Sequence, residues 1–80
     1  MNDIIKPDET LDATGLLCPL PAVKTAMHLE RMEVGQMLLV LTTDNISKTD
    51  LPAWCRETGN ECVSMVDEGE VFKIYIRKRV

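Results

Sequence analysis

One segment of the chain has residue types in an order that suits sulfur chemistry, Gly15-Leu16-Leu17-Cys18-Pro19-Leu20-Pro21. Cysteine reacts as its thiolate, and a helix N-terminus favours the thiolate because peptide dipoles place positive charge there. We place Cys18 at the N-cap of a helix, with Pro19 at the first helical position and Pro21 at the third. The prolines fix the backbone and remove amide donors that would otherwise reach the cap side chain. We therefore expect an exposed cysteine, held in a defined direction, whose pKa is only modestly lowered.

A general base for Cys18 is missing from the same helix. His28 is the only histidine, and it follows Cys18 by ten residues. A helix rises about 1.5 Å per residue, so about 15 Å would separate the two side chains. A Cys-His pair on this helix is therefore excluded, and we predict that His28 lies on the surface.

The other two cysteines fit structural positions. Cys55 follows Trp54 on a short predicted helix, and Cys62 lies in an alternating strand, so we predict that both thiols are core residues. They form no Cys-x-x-Cys pair, and a single histidine cannot complete a usual zinc site. We expect no metal, no cofactor and free thiols, with Trp54 as a core anchor. Whether either thiol approaches Cys18 stays open at this stage.

Length and charge restrict the class of protein. Eighty residues suffice for one domain, and we predict a flexible tail over residues 1–9 and a single domain over residues 10–80. The net charge of −4 opposes binding to a phosphate backbone. Nucleic-acid binding is therefore the weakest alternative, and its candidate residues are Lys24, His28, Arg31 and the run Arg77-Lys78-Arg79.

The chain also shows no membrane or export signal. It has no apolar run of about 18 residues, the length that a spanning helix needs. Its first residues, Met1-Asn2-Asp3-Ile4-Ile5-Lys6, lack the apolar core and cleavage site of a signal peptide. We expect a cytoplasmic protein without membrane contact, in a compartment that keeps thiols reduced.

Hydrophobic periodicity predicts the elements that position Cys18. In chain order they are a strand at 10–13, a helix at 19–33, a strand at 36–43, a helix from between 47 and 51 to 58, and strands at 61–66 and 71–76. Pro52 disfavours helical geometry at the residue before it, which leaves the start of the second helix open. The last two strands read as an antiparallel hairpin. Right-handed crossovers then place both helices on one face of a mixed four-stranded sheet, a βαβαββ two-layer α/β (α+β) sandwich.

The motif Asp12-x-x-Gly15-x-x-Cys18-Pro19-x-Pro21, followed by Lys24, resembles the signature of the bacterial TusA/SirA-like sulfur-carrier family. The similarity spans residues 10–79 and continues through Gly35, Thr43-Asp44, Asp50-Leu51-Pro52-x-Trp54 and Gly59-Asn60-Glu61. It implies the same βαβαββ fold, with Cys18 as the persulfide carrier. The residues that it implies as motif support are Asp12, Gly15, Pro19, Pro21 and Lys24.

The resemblance also implies a function. Cys18 would accept a persulfide sulfur from a cysteine desulfurase or rhodanese-type donor and pass it to an acceptor protein, in tRNA thiolation, sulfur oxidation or cofactor biosynthesis. Such a protein is a sulfurtransferase-type carrier rather than a stand-alone enzyme, and docking alternately with two partners is simplest for a monomer. No direct contact with nucleic acid is expected. The alternative is a non-catalytic regulatory or interaction module in which Cys18 only caps a helix.

Overall fold

Four strands and two helices make up residues 6–80, the part of the chain that the computed structural model describes. They are β1 (Glu9–Ala13), α1 (Leu20–Glu30), β2 (Met37–Thr42), α2 (Asn45–Thr58), β3 (Glu61–Asp67) and β4 (Phe72–Arg77). Of the predicted tail, residues 1–5 lie outside the described residues. Asp8 is bonded to Met37 through two hydrogen bonds, and β1 begins at Glu9. Over residues 6–80 neither helix is long and apolar enough to cross a membrane.

The strands form one sheet in the order β1-β2-β4-β3. β1 runs parallel to β2, whereas β4 runs antiparallel to both β2 and β3. The predicted mixed four-stranded sheet with two helices is therefore confirmed. The parallel pair needs a crossover, which α1 supplies, and the strand order places β2 and β4 at the centre of the sheet.

The core lies between the sheet and the two helices. Alternate residues of the central strands are fully buried on one face, Leu38 and Val40 from β2 and Ile74 and Ile76 from β4. Leu29 of α1 and Leu51 and Cys55 of α2 pack into the same cluster. Both helices therefore cover one face of the sheet, and the loop before α1 lies close to the start of α2.

The ends of α1 differ from the prediction. The helix begins at Leu20 with Pro19 as its N-cap, and it ends at Glu30, not at residue 33. At its C-terminus the ammonium of Lys78 donates hydrogen bonds of 2.7 Å to the carbonyl oxygens of Leu29 and Met32. A cation that binds these last carbonyls also interacts favourably with the helix dipole. Lys78 thus has a structural role rather than belonging to a free basic strand end.

α2 begins earlier than the predicted range of 47 to 51. Its N-cap is Asp44, whose side chain accepts a hydrogen bond from the backbone N–H of Ser47. Pro52 lies inside the helix, where it removes one backbone hydrogen bond. The carboxylate cap and the packing of Leu51 outweigh this loss, so proline did not mark the helix start.

Candidate functional site

Cys18 lies in the loop between β1 and α1, and two of the predicted motif residues shape that loop. Asp12 accepts hydrogen bonds from the backbone N–H and the hydroxyl of Thr14, at 3.0 and 2.6 Å. Gly15 has a φ of 82°, a left-handed conformation that favours glycine. Its N–H donates to the hydroxyl of Thr43, at the end of β2, at 2.9 Å. The turn is therefore tied to the central strand before the chain reaches Cys18.

Asp44 links Cys18 to α2. One carboxylate oxygen, Oδ2, accepts hydrogen bonds from the N–H of Cys18 at 3.0 Å and from the N–H and hydroxyl of Ser47 at 3.1 and 2.8 Å. The hydrogen bond from the Ser47 hydroxyl is the largest cause that lowers the pKa of Asp44, and the backbone N–H groups of Cys18, Ser47 and Ile46 add to it. Asp44 therefore stays charged near neutral pH, and the same anion starts α2 and holds the backbone of Cys18.

Cys18 is not the N-cap that the sequence predicted. Pro19 occupies that position, with a cis peptide bond before it, and no side chain caps α1. The sulfur of Cys18 turns across to α2, where its thiol donates to Oδ2 of Asp50 at a sulfur–oxygen distance of 3.5 Å. The alternative in which Cys18 only caps a helix is therefore wrong about the cap.

The environment of Cys18 raises its pKa above the ordinary value of 9.0. Partial loss of solvent is the largest cause, followed by the hydrogen bond and charge of Asp50 and the charge of Asp44. The predicted modest lowering is therefore wrong. That prediction took only the helix dipole into account. The two carboxylates belong to residues 26 and 32 positions further along the chain, so the local sequence did not indicate them. At neutral pH the free side chain is a thiol.

A groove of about 300 Å³ lies between α1 and α2 beside this thiol. Pro19 and Ala22 line it from the α1 side, and Asp50, Trp54 and Glu57 line it from α2. Trp54 also packs against the core, as predicted, so its indole serves both the core and the groove wall. The lining is thus largely apolar on the α1 side, whereas α2 contributes two acids.

An exposed apolar ridge continues from Cys18 along α1. Its residues are at least 46% exposed, and they are Leu17, Leu20, Val23 and Met27. Two motif residues remain. Pro21 is buried on the face of α1 that points to the core, whereas Lys24 is exposed and does not line the groove. Large apolar side chains grouped on a surface are typical of sites where another protein docks.

The other candidate residues lie away from the groove. Cys55 is fully buried, which confirms its predicted core position, and Cys62 is half-buried beside the core. His28 is half-buried, and its partly exposed side chain pairs with the exposed Glu9 at the start of β1. In the described part of the chain, no three His, Cys, Asp or Glu side chains are grouped so that they could hold a metal ion.

The three thiols should therefore differ sharply in reactivity. Burial raises the pKa of Cys55 to about 12, with the nearby Cys62 contributing, and burial also raises the pKa of Cys62. We expect iodoacetamide to label the folded protein on Cys18 alone, at a rate that still increases with pH beyond 9.0, because a thiol with a raised pKa gains further thiolate above that value. Peptide mass spectrometry of the labelled protein measures this.

Labelling in urea provides the control, since all three cysteines should then react. Modification of Cys55 in the folded protein as fast as Cys18 would contradict the buried position. A Cys18 rate that levels off below pH 9 would contradict the effect of the two carboxylates.

Comparison with known proteins relates the fold and the site to a family. Residues 9–78 match the family model described as sulfurtransferase TusA. The chain is 42% identical to YrkI of Bacillus subtilis over 74 residues, 92% of this chain and 99% of the relative. It is also 42% identical to the sulfur carrier protein TusA of Allochromatium vinosum over 71 residues, 89% and 93% of the two chains. The crystal structure of a SirA-like protein from Desulfitobacterium hafniense has the same fold, with a TM-score of 0.76 at 24% identity, covering 90% of this chain and 99% of that one.

Proposed function

Because the chain belongs to the sulfurtransferase TusA family, whose members include sulfur carrier proteins, we propose that it carries sulfur as a persulfide on Cys18. One observation carries the assignment to this residue: of the three thiols, Cys18 alone is exposed, and it lies at the mouth of the groove between α1 and α2. Cys55 is buried in the core, and Cys62 is half-buried beside it, so both thiols are less accessible to a partner protein than Cys18.

The surroundings of Cys18 suit a carrier better than a stand-alone enzyme. A catalytic cysteine needs an activated thiolate and a base placed to accept its proton. Here the neighbours of the sulfur are carboxylates, which hold the proton on it, and the only histidine is engaged with Glu9. The reactivity of Cys18 therefore depends on the protein that docks against it.

The transfer consists of two exchange reactions of the same kind. The thiolate of Cys18 attacks the outer sulfur of a donor persulfide, so a sulfur–sulfur bond forms on Cys18 while the donor's bond breaks. The donor cysteine leaves as a thiolate and takes up the proton that Cys18 loses. An acceptor thiolate then attacks the outer sulfur on Cys18 and releases Cys18 in the same way. The sulfane sulfur changes position without net oxidation or reduction.

The partners follow from this chemistry. The donor is a cysteine desulfurase or a rhodanese-type protein, and the acceptor is a protein with a receiving thiol, in tRNA thiolation, sulfur oxidation or cofactor biosynthesis. We place the protein in the cytoplasm as a monomeric single domain over residues 10–80, with Asp12, Gly15, Pro19, Pro21 and Lys24 supporting the site. No cofactor and no contact with nucleic acid or membrane enters the reaction.

Loading with sulfur tests the proposal. The protein is incubated with a cysteine desulfurase and free cysteine, and the masses of the intact protein and of its peptides are then measured by mass spectrometry. We expect one added sulfur atom on the peptide that contains Cys18, removable with a reductant. An unmodified Cys18 peptide, in a reaction where the desulfurase itself carries persulfide, would refute it.

A further inference from the structure

In the part of the chain that the structure describes, no cationic side chain balances the acidic wall of the groove. Asp50 and Glu57 line the groove, and Asp44 lies beneath the backbone of Cys18. Among residues 6–80, no lysine or arginine lines this groove. The ion pairs found within residues 6–80 all use other acids, namely Glu9, Glu61, Asp67 and Glu68. The site thus presents unpaired negative charge beside a thiol that reacts as an anion.

The spacing along α2 arranges these side chains in a row. Asp50, Trp54 and Glu57 stand at i, i+4 and i+7, which places them on one face of the helix. At about 1.5 Å per residue, the two acids are about 10 Å apart along the axis, with the indole between them. An aromatic ring flanked by carboxylates suits a long cationic side chain, whose stem lies on the ring while its head pairs with an acid.

We propose that a sulfur partner of Cys18 presents a lysine or arginine side chain next to its reactive sulfur, and that this side chain enters the groove and pairs with Asp50 and Glu57. This inference rests on the proposed function, because it describes the partner of the same transfer site. Arginine fits best, since its planar guanidinium can both stack on an indole and donate two parallel hydrogen bonds to a carboxylate. The apolar ridge of α1 supplies further contact area for the protein that carries it.

The pairing also has a chemical consequence. The charge of Asp50 is one of the causes that keep the proton on Cys18, so a cation that binds Asp50 offsets that effect. The thiolate then becomes available when the partner arrives and not before. The same carboxylate would thus select the partner and hold the unpartnered thiol in its less reactive form.

Three small disulfides of different charge test the recognition without any partner protein. They are cystamine, which is cationic, hydroxyethyl disulfide, which is neutral, and dithiodipropionate, which is anionic. In each reaction the thiolate of Cys18 attacks one sulfur and forms a mixed disulfide with that half of the reagent. The other half leaves as a thiolate and is protonated by water. Second-order rates are measured by intact mass for the wild type, Asp50→Asn, Glu57→Gln and the control Glu33→Gln, in which an exposed acid beyond the far end of α1 is neutralised.

The readout is the rate with cystamine divided by the rate with hydroxyethyl disulfide. A change in the pKa of Cys18 alters all three rates together and cancels in this ratio, whereas recognition of charge does not. We expect the ratio to fall about two- to fivefold in Asp50→Asn and by a smaller factor in Glu57→Gln, the range of an exposed ion pair. The rate with dithiodipropionate divided by the rate with hydroxyethyl disulfide should rise in the same two variants. Added salt should weaken both effects. Both ratios for Glu33→Gln should match those of the wild type.

Ratios in the double variant Asp50→Asn/Glu57→Gln that equal those of the wild type would overturn the proposal. Both acids are exposed, so the variants are expected to fold, and circular dichroism checks this. The reagents contain no sulfane sulfur. A failure of persulfide loading would therefore leave these ratios readable, and unchanged ratios would leave the loading experiment unaffected.

Discussion

Replacing Cys18 by serine is expected to abolish sulfur transfer completely while leaving the protein folded. A serine hydroxyl cannot form a persulfide, and within the described residues no second thiol lines the groove to take its place. The backbone of residue 18 is held by Asp44 through its N–H, a bond that does not depend on the side chain. Transfer is measured as radioactive sulfur passed from cysteine through a desulfurase to this protein, and folding by thermal denaturation followed with circular dichroism.

Cys62→Ser is the matched control, because it makes the same chemical change at a half-buried position away from the groove. It should retain transfer under conditions where it is folded. Sulfur bound to Cys18→Ser at the level of the wild type would assign the carrier role to another residue. Loss of folding in Cys18→Ser would contradict the structural independence of the side chain.

The second large effect concerns stability. Ile74 is fully buried in the central strand β4, and Ile74→Ala removes apolar volume that its packed neighbours cannot refill. Truncations of this kind cost about 2–5 kcal/mol. An 80-residue domain has a total stability of about 4–12 kcal/mol, at the usual range per residue. We therefore expect Ile74→Ala to lose a large share of the free energy of unfolding, measured by urea denaturation.

Two further variants calibrate this loss. Ile74→Val deletes only one methylene and should cost about 0.5–1.5 kcal/mol. Ile46→Ala makes the same substitution at an exposed position on α2 and should change stability by no more than about 0.5 kcal/mol. Equal stability losses in Ile74→Ala and Ile46→Ala would show that Ile74 is not in the core.

The fold could be predicted from hydrophobic periodicity because buried residues recur at regular spacing within each helix or strand. Phe72, Ile74 and Ile76 alternate with more polar residues along β4, and such spacing is visible without any knowledge of neighbours. Helix ends were less predictable because their partners are distant in sequence. Lys78 binds the carbonyl oxygen of Leu29 in the last turn of α1 and that of Met32 just after the helix, from 49 and 46 residues away, and nothing local to α1 indicates this.

The same distinction explains what was missed at the site. Cys18, its prolines and the turn at Gly15 are neighbours in sequence, so their position before a helix could be predicted. Asp44 is the N-cap of α2 and Asp50 lies within it, and only the folded arrangement brings their carboxylates to Cys18. Partial loss of solvent, which is the largest cause, and the two carboxylates together raise the pKa of Cys18, opposite to the expected direction. A signal did exist, since Asp44 and Ser47 form a recognisable capping pair, but it marks a helix start and not a contact with cysteine.

The shared oxygen of Asp44 has a consequence for motion. A cysteine in a surface loop ordinarily moves on the nanosecond timescale, independently of the elements around it. Here the backbone N–H groups of Cys18 and Ser47 both donate to Oδ2 of Asp44. Unwinding the first turn of α2 therefore also releases the loop that carries Cys18. Hydrogen exchange at these two amides is thereby coupled, although 29 positions separate them in sequence. The position of the Cys18 thiol therefore depends on the first turn of α2, across the groove, remaining folded.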